Sequence, residues 1–203
     1  MKASSASGFT AVNLIFGIVL GCFWSFFVAD YCLKLAARFS LPFMLLIGLA
    51  AFLCLALAFV FQIVLHELGH LLFGLLSGYR FAVFRFGPRL MAECGLLCRC
   101  VMAPPQPDAE GYFPITLYSL GGIVLNLLSG LLLLWVYFVS GGAIILTLFA
   151  LSAGILGLGL GLMFALPVSD SDGYNALWLV DDGEALRAHW LRMQNAASRE
   201  GRY

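Results

Sequence analysis

Four apolar runs dominate this chain, and each is near or above the roughly 20 residues a helix needs to cross a bilayer. They run from Ala11 to Ala29, from near Leu41 to about Leu76, from about Ile115 to Val139 and from about Ala143 to Leu166. In hydrocarbon, every backbone N–H and C=O must find its partner within the protein, which leaves helices or a closed barrel. Continuous apolar runs of this length select helices. Composition agrees: 62% of the 203 residues are hydrophobic and 11% are charged, against about 45–50% apolar and about 25% charged in soluble domains. The expected fold is an all-α polytopic membrane protein with about four transmembrane helices. The second run is long for one span. No turn signal lies between Leu49 and His66, so one helix is preferred to two elements broken near Gly48.

The loop 79–114 separates the second and third runs. Tyr79 to Leu90 alternates aromatic and β-branched residues with Arg or small residues, and Gly87-Pro88 ends the alternation. That pattern predicts a short strand, with a return strand over 96–102. Pro104, Pro105 and Pro107 then break regular structure. The expected element is a β-hairpin-like membrane-associated loop, able to lend an edge to an extended peptide. After Gly173, the residues Ala176, Leu177, Leu179, Val180, Leu186, Trp190 and Met193 alternate with charges. They fit an amphipathic cytoplasmic helix. The expected organisation is a signal-anchor helix and loop over 1–40, a membrane core over 41–180 and a tail over 181–203.

Lys and Arg set the expected orientation. Four spans put the N-terminus, the loop 79–114 and the tail on one side. That side holds Lys2, Arg80, Arg85, Arg89, Arg99, Arg187, Arg192, Arg199 and Arg202, against Lys34 and Arg38 on the other. Both termini are therefore expected in the cytoplasm, and a bacterial cytoplasmic membrane is the expected location. The lipid bilayer is the expected surroundings, and no nucleic-acid partner is expected.

His66-Glu67-Leu68-Gly69-His70 lies inside the second run. A charged side chain near the bilayer centre costs about 2.5–3.5 kcal/mol on insertion scales, so these residues need a reason to be there. Positions i and i+4 share a helix face. Both imidazoles can then reach one Zn²⁺, with the Glu beside a zinc-bound water. A catalytic zinc needs a third protein ligand. The remaining histidine, His189, lies in the charged tail and reads as a tail residue. Asp170 and Asp172 follow Pro167 at the end of the fourth run, on the same expected side as His66 and His70. Either carboxylate can reach the ion, and Asp172 also suits a helix N-cap. In the third run, Gly121 and Gly122 permit close helix approach. Asn126 is a lone amide, suited to an interhelical hydrogen bond, to holding substrate backbone or to stabilising an oxyanion. Gly154, Gly157, Gly159 and Gly161 read as a packing stripe. Cys94, Cys98 and Cys100 do not have zinc-ribbon spacing and read as structural or incidental, with a second metal site or acylation near the membrane as the alternatives.

These motifs resemble the site-2 protease family of intramembrane zinc metalloproteases. That family carries H-E-x-x-H on a membrane helix, a G-x-G-P-type hairpin, a helix with G-P-x-x-N, and N-x-x-P-x-x-x-x-D-G, whose Asp is the third ligand. Here the first is intact at His66, Glu67 and His70, and the hairpin motif stands as Phe86-Gly87-Pro88-Arg89-Leu90. The third stands as Gly122-Ile123-Val124-Leu125-Asn126, with Ile123 in place of Pro. The last runs from Phe164, in place of Asn, through Pro167 to Asp172-Gly173. The resemblance covers about residues 50–180. It implies one Zn²⁺ per chain held by His66, His70 and Asp172, with Glu67 as general base and later proton donor. It implies substrate contacts at Asn126 and Gly122, and a membrane-spanning or membrane-associated peptide substrate cut near the cytoplasmic face. Two other functions stand beside it. One is a catalytically idle relative serving as scaffold or regulator, a role that does not need Glu67 and that the intact motif argues against. The other is a zinc hydrolase of a non-peptide substrate. Substrate identity and oligomeric state are not written in the sequence.

Overall fold

The computed structural model describes residues 4–36, 39–87, 90, 97–139, 143–168 and 171–201. The described residues are mostly helical. In chain order they form α1 (Ser4–Ala36), α2 (Leu41–Leu76), β1 (Arg80–Phe86), β2 (Cys98–Ala103), α3 (Ile115–Val139), α4 (Ile144–Ala165), α5 (Asp172–Leu177), a 3₁₀ turn (Leu179–Asp181) and α6 (Gly183–Gly201). α1 to α4 are each long and apolar enough to cross a membrane. The second run forms one unbroken helix, as its lack of a turn signal predicts. The two strands pair as the one small sheet among the described residues.

The chain divides into two compact units. The first comprises Met1–Gln62 with Asn126–Met163, and the second Ile63–Leu125 with Phe164–Tyr203.

In the first unit α4 is the most enclosed span, because its small residues let neighbours approach. A Cβ at Gly154 or at Gly161 would lie 2.7 Å from the side chain of Leu134 or Leu127, and one at Gly130 would lie 2.7 Å from the amide of Leu158. The glycine stripe is therefore a packing surface, as its spacing predicts. Gln62 is fully buried, and Gly157 leaves room for its amide. That amide donates to the Ala153 carbonyl at 2.8 Å, and its oxygen accepts from Ser129 Oγ at 3.0 Å. Trp24 Nε1 donates to Ser152 Oγ at 2.8 Å. Ile47, Ala51, Cys54 and Leu148 form the apolar core beside these bonds. Leu45, Leu53, Leu57, Trp135 and Phe138 point outward, as side chains meeting hydrocarbon do.

In the second unit α2 ends in a Schellman motif. Gly78 takes φ +82°. Its amide donates to Leu75 O, and that of Tyr79 donates to Gly74 O. The chain turns there directly into β1. β1 and β2 run antiparallel from Arg80↔Ala103 to Phe86↔Cys98, with an irregularity between Phe81 and Val83. One face of β2 meets a core of Tyr79, Met102, Phe113, Ile115, Leu179 and Leu186. α6 packs on the hairpin. Trp190 Nε1 donates to Pro105 O at 2.8 Å, and Arg85 pairs with Glu200 at 3.2 Å. Leu186, Trp190, Met193 and Ala197 are the inward stripe of α6.

Candidate metal centre

The second unit brings His66, His70 and Asp172 together. His66 Nε2 lies 3.0 Å from Asp172 Oδ2, His70 Nε2 lies 3.3 Å from the same oxygen, and the two Nε2 atoms are 3.2 Å apart. Both histidines are 6% exposed.

Local sequence explains the placement. Gly69, inside the His66–His70 motif, and Gly121 of α3 each stand where a Cβ would strike the other's carbonyl group. The two backbones cross in contact at that point. The crossing brings the Tyr118 carbonyl 2.9 Å from His70 Nδ1. A carbonyl only accepts, so Nδ1 carries a proton and the ring turns its Nε2 toward the cluster. The Tyr118 ring stacks on His70 with centroids 4.9 Å apart, and the Phe164 ring lies 4.2 Å from that of His66. Gly122 clears the space that the His66 ring fills. A Cβ there would lie 2.5 Å from Cε1 and 2.8 Å from Nε2.

Asp172 opens α5, but it is not the cap. Ser171 fills that role, accepting from the Tyr174 amide at 3.0 Å and donating to Leu166 O at 2.6 Å. The Asp172 carboxylate is thus left to the histidines. Gly173 holds the turn against α4, since a Cβ there would strike the Ala165 carbonyl. Burial opposes ionisation of Asp172, but His70 and His66 outweigh it and hold the carboxyl below the usual carboxylate range. Asp170 lies outside the described residues, as do Pro88 and Arg89 of the hairpin motif and Cys94.

These atoms suit a cation. With bonds of about 2.0–2.1 Å, tetrahedral Zn²⁺ sets its ligand atoms about 3.3 Å apart. The three observed separations fall between 3.0 and 3.3 Å. One cation placed among the three atoms would be within reach of all of them.

Glu67 and His70 line a cavity of about 350 Å³ with Asp172, Cys100, Tyr118 and His189. Glu67 Oε2 accepts the Cys100 amide of β2 at 2.6 Å, which fixes its carboxylate beside the cluster. Burial, with Glu67 adding to it, pushes the Cys98 thiol up to about 11 and the Cys100 thiol up to about 12. Both stay protonated and inert at neutral pH. Asn126 belongs to the first unit. It is fully buried there, and its carbonyl accepts from Ser129 Oγ at 3.1 Å.

His189 was the residue that spacing concealed. It reads as a tail charge, yet it lines the Glu67 cavity. It lies three residues beyond buried Leu186 and four before Met193. That register, at the margin of the apolar stripe, was the available signal. No family model, no curated protein and no solved structure matches the chain.

Proposed function

We propose that this chain is an intramembrane zinc endopeptidase, similar to the site-2 protease family. Its substrate would be a transmembrane or membrane-associated peptide cut near the cytoplasmic face. The observation that carries the proposal is the convergence of three ligand atoms at zinc-ligand separations, with Glu67 on the same cavity.

His66, His70 and Asp172 would hold the ion. Zn²⁺, when bound, supplies a Lewis acid that polarises the scissile carbonyl and acidifies water. Glu67 takes the proton from the attacking water and returns it to the departing amine. The β2 amide that Glu67 accepts keeps its carboxylate aimed during both transfers. The Tyr118 carbonyl and the Phe164 ring hold the two imidazoles at fixed orientation, so little reorganisation is needed at reaction. Both termini would face the cytoplasm, by the distribution of Lys and Arg.

The test is Glu67→Gln in the full chain in nanodiscs, assayed on membrane-spanning peptides. The variant should bind metal like the parent and cleave nothing. Parental cleavage by Glu67→Gln would overturn the proposal.

A further inference from the structure

The Glu67 cavity does not end at the cluster. A second cleft, of about 360 Å³, adjoins it in the same unit and is lined by Arg99, Arg192, Arg199, Asn195, Ala196 and Glu200. Arg99 and Ala196 line both spaces. The cleft is built from two elements. Arg99 comes from β2, between Cys98 and Cys100, whose side chains are buried. Arg192, Ala196 and Arg199 follow one another at spacings of four and three on α6, which puts them on one face. Ala196 is the small residue that leaves the opening between the guanidinium groups.

The charge in this cleft is one-sided. Its single carboxylate, Glu200, is engaged by Arg85 at 3.2 Å through both oxygens. Among the described residues, no carboxylate pairs with Arg99, Arg192 or Arg199. Arg192 instead meets His189 Nδ1 at 3.3 Å, and His189 lines the adjoining cavity. Three guanidinium groups around one opening repel each other, and an anion with planar, bidentate acceptors relieves that repulsion.

We propose that this cleft is a substrate subsite that binds a carboxylate, carried on an acidic side chain of the peptide a few residues from the bond to be cut. The assignment rests on the peptidase reading for its substrate. The shared wall of Arg99 and Ala196 puts the bound carboxylate in a space that adjoins the Glu67 cavity, which favours a substrate group over a distant surface ligand. The acidic side chain occupies the cleft while the backbone beside it lies along β2 toward the cluster.

The test uses the full chain with Glu67→Gln in neutral nanodiscs. Fluorescent peptides differ by a single Glu or Gln at successive positions, and binding is read by anisotropy. At one position or a short run of positions, the Glu peptide should bind about fivefold tighter, the scale of a partly exposed ion pair. High salt should erase the preference. Arg192→Gln with Arg199→Gln should bring the Glu-to-Gln ratio to one. Arg192→Glu with Arg199→Glu should shift the preference to a Lys peptide. Both arginines are exposed, so these changes leave the α6 packing intact. A ratio near one at every position overturns the assignment, as does a preference that survives the double change. It is also overturned if the arginine changes alter adsorption to phosphatidylglycerol nanodiscs and leave peptide binding untouched, because the cleft then serves lipid. Binding that follows the arginines in a parent chain that cuts none of these peptides upholds the cleft and counts against the peptidase reading.

Discussion

Gly122→Ala should weaken the proposed metal centre without touching a ligand. A Cβ at this position would lie 2.5 Å from His66 Cε1, 2.6 Å from Nδ1 and 2.8 Å from Nε2. Carbon atoms rest at about 3.5–4.0 Å, so the ring must retreat by roughly 1 Å. It has little room, because the Phe164 ring lies 4.2 Å from it, centroid to centroid. Overpacking of this kind costs about 1–3 kcal/mol. Charged to ligand geometry, that is about a 5–150-fold loss of zinc affinity. A misplacement of about 1 Å near reacting groups also slows turnover by about 10²-fold. The assay is zinc affinity by competition with a chromophoric chelator, together with cleavage rate in nanodiscs. Gly48→Ala is the matched control, since nothing lies within 4 Å of that position in α2, and it should behave as the parent. Zinc affinity and cleavage equal to the parent in Gly122→Ala would refute the argument that this glycine seats His66.

Three further outcomes follow from the packing. Gly78→Ala forces an L side chain to φ +82°. It should cost about 1–2 kcal/mol, read as a lower thermal midpoint with zinc stoichiometry unchanged. Trp190→Phe removes the donor to Pro105 O. It should destabilise the docked α6 by about 1 kcal/mol, visible as faster amide exchange across Gly183–Gly201. The Cys98 and Cys100 thiols, pushed up to about 11 and about 12, are protonated at pH 8. Iodoacetamide should label them only slowly there, faster as pH rises, and fully after denaturation, as read by peptide mass spectrometry.

Much of the architecture was legible because two periods dominate it. Long uninterrupted apolar runs have one solution in lipid, so α1 to α4 could be read directly, and the strand alternation of 80–86 marked β1. The grouping of His66 with His70 is a consequence of helical pitch. Asp172 was harder. Its place after the fourth run left Asp170 beside it, and only the spacing of the resembled motif favoured Asp172. What removes the capping role is Ser171, whose hydroxyl takes that position. Gly122 was read for close helix approach as well as for substrate contact, and the structure shows what its missing side chain makes room for, the His66 ring. An absent side chain announces closeness without saying to what. The role of α6 was hidden for a similar reason. An amphipathic stripe says that one face is covered, and only the fold shows that β1 and β2 cover it, which brings His189 to the Glu67 cavity.

The most direct measurement is zinc stoichiometry by plasma mass spectrometry on the purified full chain and on Asp172→Ala. The account predicts one zinc per chain for the parent and near none for the variant, with the variant still folded by circular dichroism. One tightly held zinc in Asp172→Ala, or none in the parent after reconstitution, would contradict it.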